Sequence, residues 1–164
     1  MQQWLENRTF EELRIGDKAS LVRTLDQQDI LAFAAVSGDM NPAHLDAAYA
    51  EGTVFHGIIA HGMWGGALIS AVLGTRLPGP GTIYLEQQLR FVRPVHPGDH
   101  LTVEVQVLAK DDRHRHVELD CRVSNQLAQP VILGMARVVA PATKIRVPMP
   151  RVPALMPVDN PQPA

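Results

Sequence analysis

An aspartate, an asparagine and a histidine crowd around a proline in SGDMNPAHLD, residues 37–46. A carboxylate and an imidazole held together can take a proton from one group and give one to another, which is general acid–base chemistry. Uninterrupted helical spacing works against it, because Asp39 and His44 would then be offset by roughly 140° around the axis. Pro42 changes the geometry: it disfavours helical backbone at Asn41 and suits the first position of a new helix. The sequence therefore predicts Asn41 as the N-cap of PAHLDAAYA, with Asp39 closing one helix and His44 in the first turn of the next. Such a bend can aim both side chains at one point, with Asn41 and Pro42 as its supports.

A third element of chemistry lies downstream. The apolar stretch from about His61 to Arg76 contains Gly62, Gly65 and Gly66, although glycine inside a helix costs about 1 kcal/mol relative to alanine. Gly62 falls near the helix start, where amides lack an intrahelical partner. Its N–H can donate to an oxygen that gains negative charge during a reaction. Gly65 and Gly66 read instead as places where the helix packs closely. Ser70 is the hydroxyl in the middle of this stretch, and it either bonds back to its own helix or faces the site. His61 reads as a structural hydrogen-bonding residue. His56, His96, His100, His114 and His116 are scattered, and the HRH at 114–116 reads as a solvated hairpin turn. Cys121 is in phase with Val117, Leu119 and Val123, which makes it a small core residue. No G-x-S-x-G elbow is present, and neither a metal nor a cofactor is expected.

The elements that must position these residues follow from pattern. A chain of 164 residues, 46% hydrophobic and with formal net charge −2, is long enough for one well-buried domain. It has no basic stripe for nucleic acid and no apolar run long enough to cross a membrane. The first residues, MQQWLENRTFEEL, lack a basic segment followed by an apolar one, so no secretion signal is expected. One cysteine excludes an internal disulfide and fits a reducing compartment, so a cytoplasmic location is expected. RIGDKASLVRTL reads as a turn and a strand. Thr24 with Gln27 makes a capping box for a helix carrying Ile30, Phe33 and Ala34. After LPGPG the period changes to two. Ile83, Leu85, Leu89 and Phe91 alternate with polar residues, as do Leu101, Val103, Val105 and Val107, and HVELDCRV and VILGMARVV follow. Helices followed by a run of antiparallel strands predict an α+β domain over residues 1–140, with the apolar helix against the sheet. Seven of the thirteen prolines lie from Pro141 to Pro163. Residues 141–164 therefore read as an extended tail or linker, or alternatively as a strap over the surface.

SGDMNPAH, followed by FHGIIAHGM and LRFVRPVHPGD, closely resembles the MaoC-like (R)-specific enoyl-CoA hydratases. The similarity runs from about Phe10 to Val139. It implies a single hot-dog domain, an antiparallel sheet wrapped around a long central helix, assembled as at least a homodimer, with a dimer of dimers or a higher assembly as the alternative. It also implies syn hydration of trans-2-enoyl-CoA to (R)-3-hydroxyacyl-CoA, reversibly. By motif position the resemblance makes Asp39 and His44 the catalytic residues, Gly62 the donor to the thioester carbonyl and Ser70 a serine near the substrate. The sequence departs from the family pattern at Gly57-Ile58, where many members carry a bulkier residue and a proline. Acyl-pocket depth is expected to depend on the central helix and the TIYLEQQLRF strand. Ala140 to Ile145 is similar to junctions at which such domains are fused ahead of phosphate acetyltransferase-like domains.

Two other function classes compete. A hot-dog thioesterase would hydrolyse the same kind of substrate, but the D-x-N-P-x-H motif argues against it. A noncatalytic acyl-CoA-binding or dimerisation module of a longer protein is the other.

Overall fold

The computed structural model describes residues 2–152. In chain order the elements are β1 (Trp4–Glu6), β2 (Lys18–Thr24), α1 (Gln27–Ser37), α2 (Pro42–Leu45), α3 (Ala47–Glu51) and α4 (Gly62–Thr75). Then come β3 (Ile83–Phe91), β4 (His100–Asp111), β5 (His116–Ser124), β6 (Pro130–Val139) and β7 (Arg146–Pro148). Five strands form one antiparallel sheet in the order β2-β4-β5-β6-β3. The inner strands show why. Leu101, Val103, Val105 and Val107 on β4 and Val117, Leu119, Cys121 and Val123 on β5 are all fully buried, so one face of the pleat is continuous hydrocarbon.

That face is covered by α4, which buries Trp64, Ile69, Val72 and Leu73. The helix touches β2 and β4, while a side chain at Gly65 or Gly66 would run into Ile132 of β6 or Leu89 of β3. One helix in contact with strands across the whole sheet is the hot-dog arrangement. Both glycines thus serve close packing, as their spacing suggested. Gly134 has a stricter reason, since a side chain there would collide with the Gln88 backbone carbonyl of the neighbouring strand.

Three local expectations need correction. The box that starts α1 is made by Asp26 and Asp29, not by Thr24 and Gln27. Thr24 ends β2 and its hydroxyl is held by His100 Nδ1 at 2.8 Å. The helix expected over PAHLDAAYA is two, because Asp46 leaves helical geometry and caps α3 by accepting from Tyr49 N at 3.0 Å. On β3 the alternation does not translate into burial: Ile83, Leu85 and Phe91 are exposed, since β3 is a sheet edge and its register shifts at Leu85.

The described part of the proline-rich segment is a strap. β7 pairs antiparallel with β1. Buried Asn7 donates to Thr143 O at 2.9 Å and to Pro80 O at 3.1 Å, and it accepts from Ile145 N at 2.9 Å. Phe10 N donates to Pro141 O at 2.9 Å. Lys144 Nζ reaches Asn7 O at 2.7 Å and Glu12 at 3.0 Å. Residues 153–164 lie outside the described residues.

Candidate active site

The bend forms by a sequence of local bonds. Gly38 ends α1 in left-handed geometry (φ 74), donating to Ala34 O at 2.9 Å. Ser37 Oγ accepts from Asp39 N at 3.2 Å, Asp39 Oδ1 accepts from Asn41 N at 3.2 Å, and Asn41 Oδ1 accepts from Ala43 N at 3.1 Å. Asn41 is the N-cap of α2 and Pro42 opens that helix, as the sequence predicts. Asp39 is the second residue beyond α1, placed in the bend itself and not in the last helical turn.

The bend brings the acid and the imidazole together. One ligand-capable atom from each of Asp39, His44 and His61 lies within 4.8 Å of the others. His44 is buried, and its Nδ1 donates to Ile59 O at 2.8 Å. That bond fixes the ring and leaves Nε2 as the atom free for chemistry. His61, the N-cap of α4, donates from Nε2 to Asp39 O at 3.0 Å, consistent with the structural role its sequence suggests. Its ring lies 3.9 Å from that of His44 and 5.1 Å from that of Phe33. The trio's chemistry would also suit a divalent cation. However, one nitrogen of each ring is already committed to a backbone carbonyl.

His44, His61 and Gly62 line a cavity of about 360 Å³. Its walls are mainly apolar: Phe55, Ile59, Trp64, Phe91, Val95 and Ile132, among others, with Arg93 also contributing. Gly62 begins α4, so its amide has no intrahelical acceptor. A side chain at Gly62 would press on the Phe91 ring, 3.0 Å away. Asp39 is exposed and stands beside the two lining histidines. Ser70 is exposed and does not line the cavity; eight residues after Gly62, it is about 12 Å further along the helix.

Several residues here carry no local signal. Of the TIYLEQQLRF stretch only Phe91 reaches the cavity, and the wall comes instead from 92–95, Val131 and Ile132. His96, which looks isolated in sequence, donates from Nδ1 to Ile58 O at 3.0 Å. Together with the Ala60 N to Val95 O bond of 2.8 Å, it holds the loop that carries the acceptor for His44. These partners are 35 or more residues apart, so no sequence pattern marks them.

Known proteins of similar sequence and shape share this arrangement's fold. Residues 13–128 match the MaoC like domain. The chain is 46% identical over 135 residues to an (R)-specific enoyl-CoA hydratase of Rhodospirillum rubrum, covering 81% of this chain and 92% of that protein. It superposes on the unliganded R-hydratase PhaJ1 of Pseudomonas aeruginosa with a TM-score of 0.91 at 47% identity, covering 95% of this chain and all of that one. On the (R)-hydratase of Aeromonas caviae involved in PHA biosynthesis the TM-score is 0.78 at 41% identity, covering 80% of this chain and 99% of the other. With its domain match, these identities and the hot-dog architecture together, the chain belongs to the MaoC-like family.

Proposed function

We propose that this protein is an (R)-specific enoyl-CoA hydratase, a hydro-lyase that adds water syn across trans-2-enoyl-CoA and reverses that addition. The observation that carries the reading is the convergence of Asp39 and His44 beside the first amide of α4, at an apolar cavity. The relatives named (R)-specific enoyl-CoA hydratase span most of the chain.

In the proposed mechanism the acyl chain occupies the apolar cavity and the thioester oxygen accepts from Gly62 N–H. A water sits between Asp39 and His44. Asp39 takes one proton from it, and the oxygen bonds to C3. The C2=C3 π pair moves to C2, with charge delocalised onto the thioester oxygen, where the Gly62 amide and the α4 N-terminus stabilise it. His44 Nε2, carrying a proton for this step, gives it to C2. Passage of the proton from Asp39 to His44 then restores both groups. Acid and base approach from the same side, so H and OH are added to one face. Asn41 and Pro42 keep the bend. Crotonyl-CoA tests this directly: loss of the conjugated-enoyl absorbance without thiol release is expected. Thiol release would instead establish hydrolysis, and absence of both would leave a binding module.

A homodimer is part of the reading. β3 is an unpaired sheet edge with Ile83, Leu85 and Phe91 exposed, and an apolar edge of this kind is suited to pairing. On the uncovered face of α4, Met63 and Ser70 are also exposed. Ser70 would belong to the interface unless a partner brings it to substrate. Sedimentation at micromolar concentration should give at least a dimer, and a fully active monomer would overturn this. Among the described residues no helix is long and apolar enough to cross a membrane. A cytoplasmic location fits the buried free thiol of Cys121.

A further inference from the structure

We propose that His61 is the positioning residue of this site, holding Asp39 and His44 in register while transferring no proton itself. The proposal rests on the hydratase reading above. His61 is 2% exposed, and burying an imidazole is costly unless its nitrogens are bonded. Only one is: Nε2 donates to Asp39 O at 3.0 Å, while Nδ1 is buried without a partner. Nor does the ring serve its own helix, since His61 occupies the N-cap of α4 yet makes no side-chain capping bond. Serine, threonine, aspartate or asparagine would satisfy that position better. The side chain is turned instead across the site.

It meets three working parts there. The bond to Asp39 O ties the bend to α4 across 22 residues of sequence; the other hydrogen bonds of the Asp39 residue are to Ser37 and Asn41 in the same turn. The ring packs on His44, with centroids 3.9 Å apart, so it limits the tilt that the single Nδ1 bond to Ile59 O leaves open. Phe33 of α1 packs against His61 in turn. The next residue along the chain is Gly62. One side chain thus sets the base, the acid and the first amide relative to each other. A displacement of about 1 Å in such a constellation costs on the order of 10²-fold in rate. A relay role is unsupported by the bonding, because the Nε2 proton is committed to a carbonyl and Nδ1 has no hydrogen-bond partner.

His61→Leu and His61→Gln decide the matter on the full chain, measured with crotonyl-CoA across pH beside wild type and Asp39→Asn. Glutamine's amide nitrogen reaches about as far as Nε2 and keeps the donor to Asp39 O, whereas leucine fills the space without it. We expect His61→Leu to lose roughly 10–100-fold in kcat with KM little changed and the pH profile unshifted. His61→Gln should recover a large part of that loss. Activity is normalised to folded protein by circular dichroism. Near-normal kcat in both variants overturns the proposal, as does a rate loss explained wholly by unfolding. Disappearance of one limb of the pH profile in His61→Gln also overturns it, because His61 would then be a proton carrier. If wild type hydrates and Asp39→Asn does not, the hydratase reading stands whatever His61 does. If wild type does not hydrate crotonyl-CoA, that reading fails first; if Asp39→Asn stays active, Asp39 is not the base.

Discussion

Among the described residues, two places bring an aspartate and two histidines within 4.8 Å of one another: Asp39, His44 and His61 at the cavity, and Asp111, His114 and His116 at the turn between β4 and β5. Their residue types are the same and both aspartates are exposed, but their histidines sit in contrasting settings. At the cavity both histidines are below 10% exposure, and each is fixed by a carbonyl from a distant segment, 15 and 22 residues away. At the hairpin, His114 Nδ1 meets Asp111 Oδ2 at 2.9 Å, three residues away, with both side chains about half exposed. The His114 and His116 rings stack at 5.3 Å above a solvated turn. Residue types make a cluster; long-range anchoring beside an apolar wall makes it a site, because only there is the geometry of the reacting groups held.

The largest effect is expected where anchoring is strongest. Asp39→Asn removes the proton acceptor without changing shape, and His44→Gln removes the imidazole. Each should lower kcat by roughly 10²–10⁴-fold with substrate affinity little altered. Since both act in one transition state, the double variant should fall far less than the product of the two losses. Steady-state kinetics with crotonyl-CoA measure this. Near-normal turnover in either folded variant would remove the distinction between the two clusters.

Second in size is the strap, which backs the domain away from the cavity. Asn7→Ala deletes three hydrogen bonds and leaves buried polar groups unpaired, a loss of about 2–4 kcal/mol. The thermal midpoint should drop by roughly 4–16 °C. Among the described contacts, truncation after Ile145 removes the three-residue β7 pairing, the Met149 N–H to Gln3 O bond and the Arg146 contacts with Trp4 and Glu6, all near the surface, so a much smaller drop is expected. Acid should weaken the strap further. The Glu12 carboxyl is held below its usual range by the Thr9 backbone N–H and then by Lys144. Its contribution is therefore complete above the ordinary glutamate pKa and is lost as pH falls through the lowered folded value. Lys144 is raised, chiefly by Glu12, so its share is present below the ordinary lysine pKa and is lost as pH rises through the raised one. The gap between melts of the wild type and Lys144→Met should narrow toward the acid end, where the Glu12 pair is lost and the Lys144 bond to Asn7 O remains.

How much of this was legible depended on the range of the contacts. The β4 and β5 cores could be read because alternation is local, and Pro42 marked the bend because its geometry is covalent. The break at Asp46 is not legible, although its side-chain cap lies only three residues away; a continuous helix and a capped restart share the same letters. β1 and β7 are three residues each and about 140 apart, too short and too distant to leave a pattern. The bond from His61 to Asp39 and the cavity wall at 92–95 and 131–132 depend on how the sheet curls around α4. No spacing encodes that.

The smallest effect is expected at the hairpin, and there a null result is informative. The Asp111 carboxyl lies below its usual range, held first by the His114 ring and then by the Arg113 backbone N–H. Replacing His114 and His116 together by alanine removes the ring contact, so the carboxyl should rise part of the way back, as carbon-detected NMR titration would show. Because the group is solvent-exposed, this shift has no counterpart in the rate. Hydration of crotonyl-CoA should stay within about twofold of wild type, since exposed substitutions away from a core or a site change little. Turnover falling tenfold in a folded double variant would mean that the hairpin is coupled to the cavity through β5. Burial and long-range anchoring would then not separate the two clusters.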